Sequence, residues 1–135
     1  MAVIRKLLAA LLATVVLAGC AGKTETVNRD GPAAREALSW YREILAGDIA
    51  AAHARVHPDA ARRLTKPLFD RKVRNMVSRW ALESPEVFVT SSQERMESAV
   101  VHVAIRGNRK GKTHRVTDGV TLKPLRDEWR VWLNP

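Results

Sequence analysis

The residues with the clearest chemical potential in this 135-residue chain are five cations near its C-terminal end. They are Arg106, Arg109, Lys110, Lys112 and Arg115, within a stretch (RGNRKGKTHR) whose two glycines predict an exposed hairpin. Basic side chains that contact phosphates displace counterions, so such a hairpin would bind anions. It lacks interleaved aromatic residues that stack bases, which argues against nucleic acid. The alternative is a solubilising loop that prevents edge-to-edge sheet pairing.

The histidines predict no metal site. His53 and His57 are four residues apart, a spacing that lets two imidazoles share a metal ion, but no glutamate lies between them and Pro58 breaks the helix there. His102, on a predicted strand, and His114, beside the basic stretch, stand alone. The sequence also contains no Ser/His/Asp triad in a nucleophile-elbow setting, no glycine-rich phosphate loop and no CxxC pair. We therefore predict no catalytic residue, no metal and no cofactor.

The N-terminal segment has the parts of a secretion signal. A basic start at Arg5 and Lys6 is followed by an apolar run from Leu7 to Leu17 and then by two small residues. The run is about a dozen residues long, whereas a helix that spans a bilayer needs roughly 20. We therefore predict that residues 1–19 are removed.

The sequence Leu17-Ala18-Gly19-Cys20 resembles the lipobox of bacterial lipoproteins. The resemblance implies that the Cys20 thiol carries diacylglycerol, that the chain is cut before Cys20, and that the new amine takes a further acyl chain. Multiple acyl chains would then bind the protein firmly to a membrane. Ala21 stands where an aspartate would favour the inner membrane, which implies an outer-membrane anchor facing the periplasm, with the inner membrane and cell surface as alternatives. The other interpretation of Cys20 is a free or core cysteine.

Positive charge is concentrated in the C-terminal part of the chain. Loss of Arg5 and Lys6 would lower the net charge from +9 to +7, and residues 60–135 carry 16 basic against 8 acidic side chains. Such an excess raises the local concentration of anions, which in a periplasm are phospholipid heads, lipopolysaccharide phosphates or cell-wall polymer. A merely solvated basic surface is the alternative. Because Cys20 is the only cysteine, no internal disulfide is expected and stability must come from burial.

The hydrophobic pattern changes from helical to alternating along the chain. Residues 20–31 lack periodicity and predict a flexible tether, and residues 32–135 predict a single domain. Helical spacing and capping residues predict helices from Pro32 to Gly47 with Asp30 as cap, from Ile49 to about Val56 with Asp48 as cap, from Asp59 to about Leu64, and from about Thr65 to Leu82 with Trp80 on the apolar face.

Alternation predicts four strands after the helices: Pro85–Ser92, Ser98–Arg106, Thr113–Lys123 with a bulge at Asp118–Gly119, and Trp129–Leu133. Helices first and antiparallel strands afterwards is the α+β order, with N-terminal helices packed on one face of a curved sheet.

Two short motifs carry a resemblance to a known family. The first helix ends in YREILAGD, from Tyr41 to Asp48, and the last strand begins with DEWRV, from Asp127 to Val131. They resemble small lipoproteins of the nuclear-transport-factor-2-like superfamily, although Asp127 replaces a common glycine and Arg130 a lysine. The resemblance covers Pro32 to Leu133 and implies a cone that encloses a pocket, a fold shared by isomerases, dehydratases, ligand binders and scaffolds.

The resemblance also suggests pocket residues. Steroid isomerases of this fold use a tyrosine of the first helix as oxyanion donor beside acidic partners, but here the strands that should supply acids contain none apart from Asp118 at the predicted bulge. The constellation is therefore incomplete, and we interpret Tyr41 as a packing residue. Tyr41, Trp80 and His102 are the candidate pocket residues.

We predict a non-enzymatic, membrane-tethered periplasmic domain that binds a small ligand or an envelope protein. The alternatives are binding of an anionic polymer or lipid through residues 106–115, and a pocket isomerase or hydrolase. Members of the superfamily often dimerise through the sheet, so a homodimer is also considered. Trp129 and Trp132 cannot share a strand face, so one of them is the expected contact.

Overall fold

The structure is a computed structural model that describes residues 29–135. Cys20, the predicted signal segment 1–19 and most of the predicted tether lie outside the described residues. Four helices precede four strands, so the predicted α+β order is confirmed. The elements are α1 (Pro32–Ala46), α2 (Ile49–Ala54), α3 (Pro58–Ala61), α4 (Lys66–Trp80), β1 (Glu83–Glu94), β2 (Ala99–Arg109), β3 (Lys112–Leu125) and β4 (Glu128–Trp132).

Helix α1 begins and ends close to the predicted positions. Gly47 terminates it with a left-handed φ of 79°, a conformation that glycine adopts without steric cost. The predicted cap at Asp30 is wrong, because Gly31 occupies the cap position and no side chain caps the helix. Instead, the backbone N–H of Ala33 donates to Oε1 of Glu94 at 2.9 Å. A carboxylate at the helix N-terminus is favourable there, and it joins α1 to the end of β1.

Helix α2 is shorter than predicted because the chain after it pairs with the sheet. Asp48 caps α2 as expected, accepting the backbone N–H of Ala51 at 3.2 Å. The N–H of Val131 donates to the carbonyl of Arg55 at 2.9 Å, and the N–H of His57 donates to the carbonyl of Val131 at 2.7 Å. These bonds satisfy backbone groups on the outer edge of β4 and stop the helix before Val56.

The sheet is an antiparallel meander in the order β1-β2-β3-β4. The predicted loop between β2 and β3 is only a two-residue turn, Lys110 and Gly111, with φ values of 50° and 76°. Both values are left-handed, as in the tight turns that match the twist of a hairpin. Gly107 therefore lies within β2, where an added Cβ would come within 2.9 Å of the Glu83 carbonyl oxygen.

The predicted bulge at Asp118–Gly119 is wrong. The register between β2 and β3 is continuous through this point, and the irregularities lie in β1, one of them between Val89 and Ser91. The glycine at position 119 is explained by its neighbour instead of by a bulge. Gly119 lies directly opposite His102, and an added Cβ would lie 2.9 Å from Nδ1 of the imidazole. Glycine leaves room for that ring.

The two faces of the sheet have different surroundings, and we name them by their side chains. The inner face packs against the helices and includes Val101, Val103 and Ile105, all fully buried, which form the core with helical residues such as Phe69. The outer face carries the alternate side chains, among them His102. Among residues 29–135, no helix is long and apolar enough to cross a bilayer.

Candidate functional site

On the inner face, one hydrogen bond joins α1 to the middle of the sheet. Tyr41 is 0% exposed, and its hydroxyl donates to Oδ2 of Asp118 at 2.8 Å. Burial raises the pKa of Tyr41 far above its ordinary value, and the charge and hydrogen bond of Asp118 raise it further. The phenol is therefore a fixed donor and the half-buried Asp118 its acceptor.

The predicted pocket residues separate into two groups. Tyr41 and Trp80 come together with ring centroids 6.4 Å apart, and Trp40 packs its ring edge to face with Tyr41 at 4.9 Å. His102 lies on the outer face, opposite Gly119, and does not face Tyr41. The structure thus places indole rings around the phenol ring, and the ionisable group that meets its hydroxyl is Asp118.

Sequence reasoning missed Asp118 as the partner of Tyr41 because it assigned this residue to a bulge. The available signal was the alternation of β3: Val116, Asp118 and Val120 lie two residues apart and face Ile105, Val103 and Val101 of β2. A continuous strand places all three on the inner face. The prediction that no strand acid lies beside Tyr41 is therefore wrong, because Asp118 is on the inner face.

The outer face carries two arginines directly opposite each other. Arg106 of β2 pairs in register with Arg115 of β3. Their guanidinium carbons lie 5.9 Å and 5.4 Å from the ring centroid of Phe88 on β1, which is 37% exposed. Like charges that face each other across strands destabilise a sheet, and the aromatic ring offsets part of this by cation–π attraction.

A second pair of cations occupies the other end of the outer face. Lys123 of β3 stands opposite Arg130 of β4, and its Nζ lies 3.7 Å from the ring centroid of Trp132. Arg130 is partly neutralised by Glu128, at 2.8 Å. The ring of His57 packs against Trp132 with centroids 5.4 Å apart. We call the two cation pairs together with Phe88 and Trp132 the cationic face.

The five cations of the predicted anion site do not form one cluster. Arg106 and Arg115 belong to the cationic face, and Lys110 and Lys112 are exposed at the turn. Arg109 instead donates a hydrogen bond to the carbonyl of Trp80, at the C-terminal end of α4. A cation there stabilises the helix end, so Arg109 has a structural partner.

A polar cleft of about 380 Å³ separates α1 from the turn before β4. Arg55 lies at this cleft, with its Nε 2.8 Å from Glu43 and a terminal nitrogen 3.0 Å from Glu36. The hydrogen bonds to Glu43 hold the pKa of Arg55 above its ordinary value. Trp129 lines the cleft, on the face of β4 opposite to Trp132. Arg55 ties α2 to α1 and is already paired with two carboxylates.

Histidines and acids do not converge on a metal position within residues 29–135. His53 Nε2 lies 3.3 Å from the carbonyl oxygen of Leu64, and its ring contacts Phe69 at 5.1 Å. His57 accepts the backbone N–H of Asp59 through Nδ1 at 3.2 Å and so caps α3. Both imidazoles therefore have structural roles.

Known proteins resemble this chain in structure rather than in sequence. No family model and no curated protein matches it. A protein of Campylobacter jejuni named as a candidate NTF2-like transpeptidase aligns with a TM-score of 0.58 and 13% identity, covering 73% of this chain and 94% of its own.

Two further solved structures also align with this chain. A SEC-C motif-containing protein from Rhodopseudomonas palustris has a TM-score of 0.53 and 14% identity, covering 73% of both chains. A designed NTF2-like protein has a TM-score of 0.52 and 13% identity, covering 73% of this chain and 90% of its own. Such low identities bear on the fold and not on activity. The chain has a nuclear-transport-factor-2-like fold, in which N-terminal helices pack on a curved four-stranded antiparallel sheet.

Proposed function

We propose that this protein is a lipid-anchored, non-enzymatic binding domain of the bacterial cell envelope, held on the periplasmic side of the outer membrane. The tether is supported by the sequence that resembles a lipobox at Cys20. The binding role is supported by the fold, which commonly forms a ligand-binding cone, and by the cationic face.

The proposal that this domain is not an enzyme rests on the contacts of Tyr41. Its hydroxyl is committed to Asp118, and its ring is enclosed by Trp40 and Trp80. An oxyanion donor must point at the position where charge develops, and a general base must reach the proton that it removes. Here the donor and the acid engage each other, so the pair serves as a buried link between α1 and β3.

The first experiment compares the full-length wild-type chain with Cys20→Ser after expression in a Gram-negative host. We expect the wild type to gain the mass of a lipid modification and to fractionate with the outer membrane. Because the thiol accepts the first lipid, Cys20→Ser should show no added mass and should leave that fraction. Two unmodified, soluble proteins would contradict the anchor.

A second function, a pocket isomerase or hydrolase, is favoured by one observation: a hydrogen-bond donor, Tyr41, and a carboxylate, Asp118, lie together on the inner face of the sheet, and an enol-forming site needs both groups. Crystals soaked with small carbonyl compounds distinguish the two proposals. Electron density between the Tyr41 hydroxyl and Asp118 would favour the enzyme. An intact 2.8 Å hydrogen bond without such density is the result expected for the binding domain.

A further inference from the structure

We infer that the cationic face docks the domain on a bilayer of anionic phospholipids, a role that rests on the proposed lipid anchor and adds an orientation to it. Within residues 29–135, no carboxylate forms an ion pair with Arg106, Arg115 or Lys123. Each of the three lies over an aromatic ring instead. Unpaired cations beside aromatic side chains suit an interface where phosphates lie above an apolar layer.

The arrangement of like charges supports an anionic partner. Two cations directly opposite each other disfavour strand pairing, and this occurs twice, at Arg106–Arg115 and at Lys123–Arg130. A surface of negative headgroups would relieve the Arg106–Arg115 repulsion and the part of the Lys123–Arg130 repulsion that Glu128 leaves. Arg115 and Lys123 are eight residues apart on β3, which is on the order of 27 Å for an extended strand. Two separated contacts on one bilayer would fix the orientation of the sheet.

Apolar exposure on the same face favours a bilayer over a soluble polymer. Phe88 and Val100 are each 37% exposed on neighbouring strands of the outer face. Two acidic residues limit the positive charge of the outer face: Glu86 lies opposite Arg106, and Glu128 pairs with Arg130. Near an anionic bilayer each basic side chain contributes about 1 kcal/mol, and partly inserted apolar side chains add to this.

The anchor makes the contact geometrically accessible. The chain between Cys20 and Pro32 can extend up to about 40 Å. It enters the fold beside Glu94 at the end of β1, because the Ala33 N–H is bonded there. A second copy of this chain is a poorer occupant, because a symmetric dimer through this face would place the cationic face of one copy against that of the other.

The test uses the mature chain from position 20 with Cys20→Ser, which retains every described residue and carries no lipid. We expect it to co-sediment with vesicles of phosphatidylglycerol and phosphatidylethanolamine but not with phosphatidylcholine alone. Replacing Arg106, Arg115 and Lys123 by glutamine should weaken binding about a hundredfold, at about fivefold for each cation. The matched control replaces three exposed cations of the helical layer: Arg63→Gln, Lys66→Gln and Arg71→Gln.

Lost binding in the cationic-face variant together with retained binding in the control supports docking through the cationic face. Retained binding in both triple variants would overturn it. Equal loss in both triple variants would overturn it, since net charge alone would then decide binding. Absence of wild-type binding, equal binding to soluble polyphosphate, or a dimer in sedimentation that only the cationic-face variant disrupts would overturn it as well. Circular dichroism melting of each variant confirms that it is folded. Because no lipid is attached, the result is independent of the fractionation of wild type and Cys20→Ser, so failure of the anchor and failure of docking are distinguishable.

Discussion

The two faces of β2 and β3 are built from alternate residues of the same strands, yet they obey different constraints. On the inner face Val101, Val103 and Ile105 are fully buried, and Asp118 is held by Tyr41. On the outer face, Arg106 and Arg115 repel each other beside Phe88. The inner face is arranged for stability, whereas the outer face retains a repulsion that stability does not require. Such an arrangement is expected of a surface kept for binding.

The largest expected difference between the faces is the cost of removing an apolar side chain. Ile105→Ala should lower the free energy of unfolding by about 2–5 kcal/mol, because it leaves a cavity among fully buried neighbours. The matched variant Val100→Ala, on the outer face of the same strand, should cost less than about 1 kcal/mol, since Val100 is already 37% exposed. Urea denaturation measures both. Equal losses would contradict the distinction between the faces.

Gly107 in β2 and Gly119 in β3 should differ in the stability lost when each is replaced by alanine. Gly107→Ala should destabilise by about 1–3 kcal/mol, because the new Cβ would meet the backbone oxygen of Glu83 at 2.9 Å. In Gly119→Ala the new Cβ comes too close only to the imidazole of His102, also at 2.9 Å, since the Val101 carbonyl oxygen lies at an ordinary 3.7 Å, and a side chain on the exposed face can rotate away. Thermal unfolding of both variants should give the lower melting temperature for Gly107→Ala. The opposite order would show that His102 is held rigidly.

The buried Tyr41 hydroxyl on the inner face should make the free energy of unfolding depend on pH in the alkaline range. Because the pKa of Tyr41 is raised on folding, the folded protein keeps a proton that the unfolded chain loses above about pH 10. Stability from this residue is complete below that pH and falls above it by about 1.4 kcal/mol per pH unit. Urea denaturation at increasing pH should show this extra slope in the wild type but not in Tyr41→Phe.

Tyr41 is the only tyrosine in the chain, so the ultraviolet absorbance of tyrosinate provides the control. Folded wild type should show no tyrosinate at a pH where the urea-unfolded chain is already ionised. An ordinary titration in the folded state would mean that the phenol is accessible, which would also weaken the argument against a pocket enzyme.

The smallest effect is expected for stability on the outer face. Arg115→Gln should change the free energy of unfolding by no more than about 0.5 kcal/mol, because the lost cation–π contact is offset by relief of the repulsion from Arg106. Chemical denaturation at low and moderate salt measures this difference. A loss of several kcal/mol would show that Arg115 is a structural residue. Its charge would then be explained without a binding role.

The sequence determined the local elements because their causes are local. Helical spacing of apolar residues and the stop at Gly47 predicted α1, and alternation predicted the strands that follow. The motifs at residues 41–48 and 127–131 predicted the fold that the solved structures confirm. The lipid anchor at Cys20 is a prediction from sequence that the described residues do not test.

Tertiary structure decided which of the predicted side chains meet. Tyr41 and Asp118 are 77 residues apart in sequence, so the alternation of β3 could place Asp118 on the inner face but could not show that it meets Tyr41. Packing also decided that Arg109 donates to a carbonyl at the end of α4, whereas Arg106 and Arg115 lie over Phe88. The physical reason is that spacing along one strand fixes only which face a side chain occupies. Strand register and helix docking fix its neighbours, and these are set by burial across the whole core.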